Sequence, residues 1–237
     1  MENIGTTCSS LLLNCFSWNK WSFYILSTVL LPYLAYQMVA NKVSLKRRRF
    51  KSFAEHFECI VKLIGSSTLL WFLGNYEETF SSTTAISVFV GLFGFALLAE
   101  KDKENSTLVT YSKWNYQMKT LMTHGTISVV LILFYHLMLA NNHDFFKEYF
   151  TFMLLPIVFL FVSSKIAGRD NLECSRSESC TSKTILHLHH THLFYMLAFF
   201  TRFPETVSQL AAGLFIGASL HGVAAYDFDK IFEKVSR

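Results

Sequence analysis

Long apolar runs alternate with short polar segments along this chain, and the runs have the length of membrane-spanning helices. A helix needs about 20 apolar residues to cross the hydrocarbon layer of a membrane. Several runs are slightly shorter, so their ends can shift by a few residues. We predict seven spanning helices, at 22–40, 57–74, 83–99, 125–140, 149–164, 186–201 and 206–225. The pattern therefore predicts an all-α, multi-pass membrane bundle that forms a single membrane domain over residues 1–237.

Two of the polar segments carry patterns of their own. In residues 105–123, apolar side chains recur at helical spacing beside lysines, which predicts an amphipathic helix on the cytosolic surface. The alternative is that this segment extends the fourth spanning helix below the membrane. Residues 168–183 are polar and rich in serine, so we expect a mobile cytosolic loop there.

The composition narrows the class of protein further. Hydrophobic residues make up 51% of the chain and charged residues only 16%, whereas soluble domains carry roughly 25% charged residues. The chain has no phosphate-binding loop, no serine–histidine–aspartate order and no CxxC pair. Cys8 and Cys15 are as well suited to a disulfide as to remaining free. The composition indicates an integral membrane protein, and the sequence leaves open whether its membrane is the endoplasmic reticulum or the plasma membrane.

The basic residues predict how the chain is oriented, because loops rich in lysine and arginine stay on the cytosolic side. The segment after the first apolar run is strongly basic and contains Lys42, Lys46, Arg47, Arg48, Arg49 and Lys51. If this segment is cytosolic, the N-terminus lies outside, and seven crossings bring the C-terminus to the cytosol. The glycosylation sequon that begins at Asn105 would then be cytosolic and remain without glycan.

The same basic segment predicts a lipid partner. Each lysine or arginine near an anionic membrane surface contributes about 1 kcal/mol of attraction. We therefore expect anionic lipid headgroups, and not nucleic acid, to bind at Lys46, Arg47, Arg48, Arg49 and Lys51.

Two ionisable residues interrupt the second apolar run. Glu58 precedes Lys62 by four residues, which is the order that favours an ion pair within one helix. A charged group at the centre of a membrane helix costs at least about 2.5–3.5 kcal/mol, so it needs a partner or a role. We expect a self-neutralised pair that faces the bundle, with part of an ion or substrate path as the alternative.

A histidine cluster begins the sixth apolar run, at His187, His189, His190 and His192. On a helix, His187 and His190 share one face, and His189 and His192 share the roughly opposite face. One helix can therefore direct only one of these pairs toward a metal ion. A third ligand must come from another helix.

His221 is the expected third ligand, with His124 as a further candidate. Gly213, Gly217 and His221 follow one another at four-residue spacing, and such small residues let a neighbouring helix approach closely. In the predicted orientation, His124, His221 and the four clustered histidines all lie near the cytosolic ends of their helices. The sequence thus predicts a layer of histidines beside the inner leaflet.

Imidazole ligands completed by a carboxylate are typical of zinc and non-haem iron sites. Asp227 and Asp229 follow the last apolar run directly, so they are candidate ligands or catalytic groups. An enzyme would also need an open coordination position for water on the metal. The alternative is that the histidines bind only headgroups and loop carbonyls and hold no metal.

The stretch from 187 to 234 contains a histidine pair at the start of a helix, a short turn with proline, an AGLFIG glycine stripe and a GVAAYDFD exit. In these features it resembles the last two membrane helices of multi-pass LCCL-domain-containing proteins. The matching positions are His189, His190, Pro204, Gly213, Gly217, Gly222 and Phe228. The chain departs from that family in having no LCCL domain and in having Asp227 where glycine is expected. The resemblance implies a fold and no reaction.

Seven spans with histidines at the cytosolic level are also similar to alkaline-ceramidase and adiponectin-receptor-type hydrolases, which hold zinc with three histidines. This similarity is one of architecture, since the last run has no HxxxH and the third has no aspartate. Three functions remain open from the sequence. They are a metal-dependent enzyme that modifies lipids, a structural or partner-binding membrane protein, and a conductor of protons or metal ions.

Overall fold

The computed structural model describes residues 17–43, 51–101, 116–175, 182–186, 190–226 and 232–236. In chain order the elements are α1 (Trp18–Val43), α2 (Phe53–Leu73), α3 (Tyr76–Thr79), α4 (Ser82–Lys101), α5 (Tyr116–Asn142), α6 (Phe146–Ser175), β1 (Ser182–Leu186), α7 (His190–Ala198), α8 (Thr206–Tyr226) and β2 (Phe232–Ser236). The described chain is therefore helical apart from one small sheet.

Helix α1 contains a π-helical turn at Leu26–Leu30, with α-helix on both sides. Pro32 follows this turn, and because proline has no N–H it cannot donate to the carbonyl four residues earlier. The hydroxyl of Thr28, inside the turn, donates to the Tyr24 carbonyl at 2.7 Å. The first apolar run is thus one continuous helix that is locally widened.

Four of the described helices are long and apolar enough to cross a membrane: Trp18–Val43, Phe53–Leu73, Thr123–Asn142 and Thr206–Tyr226. Helix α4 contains a shorter apolar stretch at Ser82–Leu98. Helix α7 has nine residues and rises only about 13.5 Å, which is too short to cross a layer of roughly 30 Å alone. The described chain is thus a helical protein with four candidate spans, while seven spans and their orientation stay predictions.

An antiparallel sheet joins β1 to β2, with Ile185 opposite Glu233. Because the strands lie side by side, the chain leaves β1, passes through α7 and α8, and returns to the same place. The sheet also corrects the predicted mobile loop at 168–183, since α6 continues to Ser175 and β1 starts at Ser182. The partner of β1 lies far along the chain, so no local pattern in the loop predicts the strand.

Helix α5 begins at Tyr116 and runs without a break to Asn142. For the segment 105–123 we predicted a surface helix, with an extension of the fourth apolar helix as the alternative. Its described part, 116–123, is such an extension. The remainder of that segment, with Asn105, lies outside the described residues.

Helix α8 forms the centre of the bundle, and most of its residues are buried. It packs most extensively against α4 and then against α7. A Cβ atom added at Gly217 would lie 2.6 Å from the Leu92 nitrogen, and one at Gly91 would lie 2.5 Å from the Leu214 carbonyl oxygen. These glycines therefore permit a close backbone approach of α8 to α4 that a larger residue would obstruct.

Candidate functional site

His221 lies near the end of α8 and is only 2% exposed. Its ring contacts that of Tyr36 on α1, with centroids 5.4 Å apart and planes at 90°, and that of Phe95 on α4 at 5.5 Å. Tyr226, later on α8 itself, provides a third ring at 6.1 Å. The imidazole is thus directed into the bundle, among aromatic rings from three helices.

The start of α7 lies beside this part of α8. The hydroxyl of Ser219 donates to the Thr191 carbonyl at 3.0 Å, and both residues are buried. His192 follows Thr191 and is partly buried, and His221 follows Ser219 by two residues. The first turn of α7 and the end of α8 that carries His221 therefore lie at one level of the bundle.

Several of the residues predicted to have a role lie outside the described part of the chain: Cys8, Cys15, Lys46, Arg47, Arg48, Arg49, His187, His189, Asp227 and Asp229. Of His190, only the helical backbone is described. His124 is exposed on α5, where its Nδ1 lies 2.7 Å from the Thr120 carbonyl oxygen of the same helix. Within the described ranges, no three histidine, cysteine, aspartate or glutamate side chains are placed to hold a metal ion.

Lys51, predicted to meet lipid headgroups, has a partner within the protein. Its ammonium donates to the Val223 carbonyl at 2.6 Å and lies 3.3 Å from the Cys59 sulfur. Gln37 of α1 donates to the neighbouring Ala224 carbonyl at 2.9 Å. Carbonyls in the last turn of a helix lack partners within that helix, and a positive charge there is favourable. Lys51 and Gln37 therefore cap the C-terminal end of α8.

Glu58 and Lys62 form the predicted ion pair, with Oε1 and Nζ 2.5 Å apart. Their side chains are 63% and 47% exposed, so the expectation that the pair faces the bundle is wrong. The reason lies in the packing of α2, whose inward face is formed by Cys59, Leu63, Ser67, Leu70 and Trp71. The ion pair lies on the outer side of the helix, away from the core of this chain.

A small cavity of about 20 Å³ lies between α1, α2, α7 and α8. Its lining is mostly apolar but includes five residues with hydroxyl groups: Thr28 in the π-helical turn, Ser66, Ser67, Tyr195 and Ser219. The Tyr195 hydroxyl donates to the Ser66 carbonyl at 2.8 Å. A cavity of this size has room for about one water molecule, so it is too small for a lipid substrate.

The sequence did not predict the link between His136 of α5 and Ser208 of α8, which are both fully buried. Nδ1 of His136 lies 2.6 Å from the Ile132 carbonyl oxygen, and Nε2 lies 2.9 Å from the Ser208 hydroxyl. Because a carbonyl only accepts, Nδ1 carries the proton and Ser208 donates to Nε2. A base beside a hydroxyl can activate a nucleophile, but this pair is sealed from solvent and connects two helices.

The signal for this link is a histidine inside an apolar run, because an ionisable residue within a membrane helix requires a partner. The identity of the partner could not be predicted, since Ser208 lies 72 residues beyond His136.

Arg202, in the turn between α7 and α8, makes a second contact with the α5–α6 hairpin. Its guanidinium lies over the rings of Phe145 at 5.4 Å and Phe152 at 5.5 Å. Partial burial lowers the pKa of this guanidinium, which nevertheless stays charged at neutral pH. Cation–π contacts of this kind contribute about 0.5–2 kcal/mol, so Arg202 helps to fix the α5–α6 hairpin against the turn between α7 and α8.

No protein-family profile, curated protein or solved structure matches this chain. The resemblance of residues 187–234 to LCCL-domain-containing proteins and the similarity to the seven-helix hydrolases therefore stay expectations. The fold and the site define the class as a helical protein with four candidate membrane spans and α8 at its centre.

Proposed function

We propose that this chain is a multi-pass integral membrane protein whose bundle serves as a structural scaffold and binds protein partners within the bilayer. The observation that carries this proposal is the environment of His221. The predicted third metal ligand is packed against Tyr36, Phe95 and Tyr226. Its role in this proposal is to fill the interface between α8, α1 and α4.

The outer surface of the helices supports insertion into a membrane. Large apolar side chains are exposed on α2 and α5, among them Phe53, Phe57, Leu131 and Phe134. Soluble monomers rarely expose contiguous apolar patches of more than a few hundred Å², whereas lipid is the natural environment for such a surface. The proposal includes seven spans, with the N-terminus outside and the C-terminus in the cytosol.

A metal-dependent enzyme that modifies lipids is the second candidate, and the bond from Ser219 to Thr191 favours it. This contact holds the histidine-bearing start of α7 beside the end of α8. One pair of the cluster, His187 with His190 or His189 with His192, would hold zinc or non-haem iron together with His221. Asp227 or Asp229 would assist. The ion-conductor alternative loses support, because Glu58 and Lys62 lie on the outer face of α2.

A His221→Phe substitution separates the two candidates, because it keeps an aromatic ring and removes both ring nitrogens. For a scaffold, we expect purified full-length protein to contain well below one zinc or iron per chain. Phenylalanine should lower the free energy of unfolding by no more than about 1 kcal/mol, the worth of a hydrogen bond. His221→Ala should lower it by about 2–4 kcal/mol, because it leaves a cavity.

The control is His124→Phe, at an exposed histidine on α5. One zinc or iron per chain in the wild type, lost in His221→Phe and retained in His124→Phe, would overturn the scaffold proposal in favour of the enzyme. Metal content by mass spectrometry and thermal unfolding in detergent are the two measurements.

A further inference from the structure

The small cavity between α1, α2, α7 and α8 lies inside the bundle, and the proposed function leaves it without a role. Of its ten lining residues, eight are buried, and the other two, Ser66 and Tyr195, are partly buried. The lining contains no aspartate, glutamate, lysine, arginine or histidine. The cavity therefore offers a ligand hydroxyl groups and apolar surface but no charged side chain.

Most of the hydroxyl groups at the cavity are available only as acceptors. Four of the five already donate their proton to a backbone carbonyl, at 2.7–3.1 Å: those of Thr28, Ser66, Tyr195 and Ser219. A hydroxyl has one proton and two lone pairs, so each of these groups can still accept a hydrogen bond but has no proton left to donate. They therefore suit a ligand that donates.

Tyr24 of α1 has the opposite requirement. Its side chain is fully buried, and its hydroxyl lies beside those of Thr28 and Ser67, which line the cavity. The geometry of these approaches is too poor for a hydrogen bond, so within the described residues the Tyr24 hydroxyl has no partner. An O–H group that is buried without an acceptor destabilises the folded state. A ligand at the cavity should therefore also accept a hydrogen bond from Tyr24.

Water meets both requirements, because it donates two hydrogen bonds and accepts two. We infer that the cavity binds one water molecule, which accepts a hydrogen bond from Tyr24 and donates to hydroxyl oxygens of the lining. Buried waters commonly make about three such bonds to protein groups that otherwise lack partners. A sodium ion satisfies only the lining, since a cation cannot accept from Tyr24 and no carboxylate lines the cavity to balance its charge.

The position of this water gives it a structural role. Thr28 belongs to the π-helical turn of α1, and Pro32, one turn later, cannot supply the N–H that would bond the Thr28 carbonyl in an α-helix. Widened turns of this kind frequently occur at functional sites. The water connects this irregular part of α1 to the hydroxyl groups of Ser67 on α2 and Ser219 on α8. It thus joins the first two helices to the last two where α1 departs from regular geometry.

A Tyr24→Phe substitution tests the site, because it removes the hydroxyl and keeps the ring. If the hydroxyl donates to a bound water, its loss should lower the melting temperature by about 2–4 °C, the shift expected from one hydrogen bond in a chain of this size. A hydroxyl without an acceptor gives the opposite result, since its removal raises the melting temperature. Tyr116→Phe, at an exposed tyrosine of α5, is the matched control and should change nothing.

A second variant displaces the water. Ser67→Val adds methyl groups to the lining and should leave no room for a water molecule beside Tyr24. In this background the Tyr24 hydroxyl has lost its acceptor, so adding Tyr24→Phe should raise the melting temperature instead of lowering it. Thermal unfolding of the full-length protein in detergent measures each variant. A double variant that melts below Ser67→Val overturns the inference, as does a higher melting temperature for Tyr24→Phe alone.

A structure of the full-length wild-type protein in lipid, at a resolution that shows ordered water, identifies the ligand directly. We expect one water within hydrogen-bond distance of the Tyr24 hydroxyl, whereas a direct bond from Tyr24 to Thr28 or Ser67 with no water beside it overturns the inference. Stabilisation by sodium chloride over choline chloride, seen in the wild type and lost in Ser67→Val, overturns it in favour of a cation. These results leave the scaffold proposal in place, because it is judged by the metal content and the His221→Phe variant.

Discussion

Single glycines decide how closely the two central helices approach. The Cβ atom that alanine would place at Gly217 meets backbone atoms of α4, and backbone atoms cannot turn aside as the end of a flexible side chain can. Small residues at such positions drive helix association in membranes through dispersion contacts, because lipid removes the hydrophobic contribution. The packing of α8 on α4 therefore depends on the absence of a side chain.

A Gly217→Ala substitution should consequently lower the free energy of unfolding by about 1–3 kcal/mol, the usual cost of overpacking. Gly125→Ala is the matched control, because a Cβ atom at Gly125 meets no atom within 4 Å. Unfolding of both variants in detergent, followed by circular dichroism, gives the comparison. Equal stability of the two variants would show that α8 and α4 do not pack as described.

At the residue scale, the sequence could predict which side chains pair along one helix but not where they point. The four-residue spacing of Glu58 and Lys62 predicts their ion pair, which the structure contains. Its outward direction depends on the other side of α2, which packs into the core. The aromatic environment of His221 could not be predicted either, since Tyr36 and Phe95 come from distant parts of the sequence.

Helix ends in this bundle are completed by side chains from other elements. The hydroxyl of Tyr76 donates to the Ala198 carbonyl at 2.8 Å, and that of Tyr149 donates to the Phe200 carbonyl. Burial raises the pKa of the Tyr76 phenol, so the group stays protonated and keeps donating. The contribution of this hydrogen bond to the free energy of unfolding is fully present below the ordinary tyrosine pKa. It is lost only as the pH rises above that value into strongly alkaline solution. The carbonyls at the C-terminal end of the short α7 thus accept hydrogen bonds from tyrosine side chains of α3 and α6.

The cap on α8 leads to a test at the level of an element. Lys51→Met keeps a long side chain but removes the ammonium that donates to the Val223 carbonyl. We expect a loss of about 1–3 kcal/mol in the free energy of unfolding, because a hydrogen bond from a charged donor is removed. Lys42→Met, at an exposed position on α1, should change it by less than about 0.5 kcal/mol. If thermal unfolding shifts equally in both variants, Lys51 does not cap α8.

Elements that depend on local apolar pattern could be predicted, and those that depend on distant partners could not. The apolar runs predict the helices Phe53–Leu73 and Thr206–Tyr226 closely, because hydropathy and length act within each run. The sheet was missed, since Ser182–Leu186 becomes a strand only by pairing with Phe232–Ser236. The pairing accounts for the last two positions of the predicted loop, Ser182 and Lys183, whereas its first part belongs to α6, which continues to Ser175.

Across the whole molecule, the parts of the bundle differ in how firmly they are joined. Helix α8 lies between α1, α4 and α7, whereas most of the apolar stretch of α5 is exposed. The α5–α6 hairpin meets the centre through Arg202, His136 and their neighbours near one end. The sequence predicted a bundle of apolar helices, but the central position of α8 depends on which small residues face α4. Which residues face a neighbouring helix depends on both helices together, so the apolar pattern of one helix alone cannot predict it.

The central claim is that α8 crosses a membrane with its two ends on opposite sides. Single cysteines at Pro204 and at Lys234, in a chain without its native cysteines, report on the two ends through a membrane-impermeant maleimide. In sealed membranes, the account predicts that each cysteine reacts from one side only and that the sides are opposite. Reaction of both cysteines from the same side, before the membrane is opened, would contradict it.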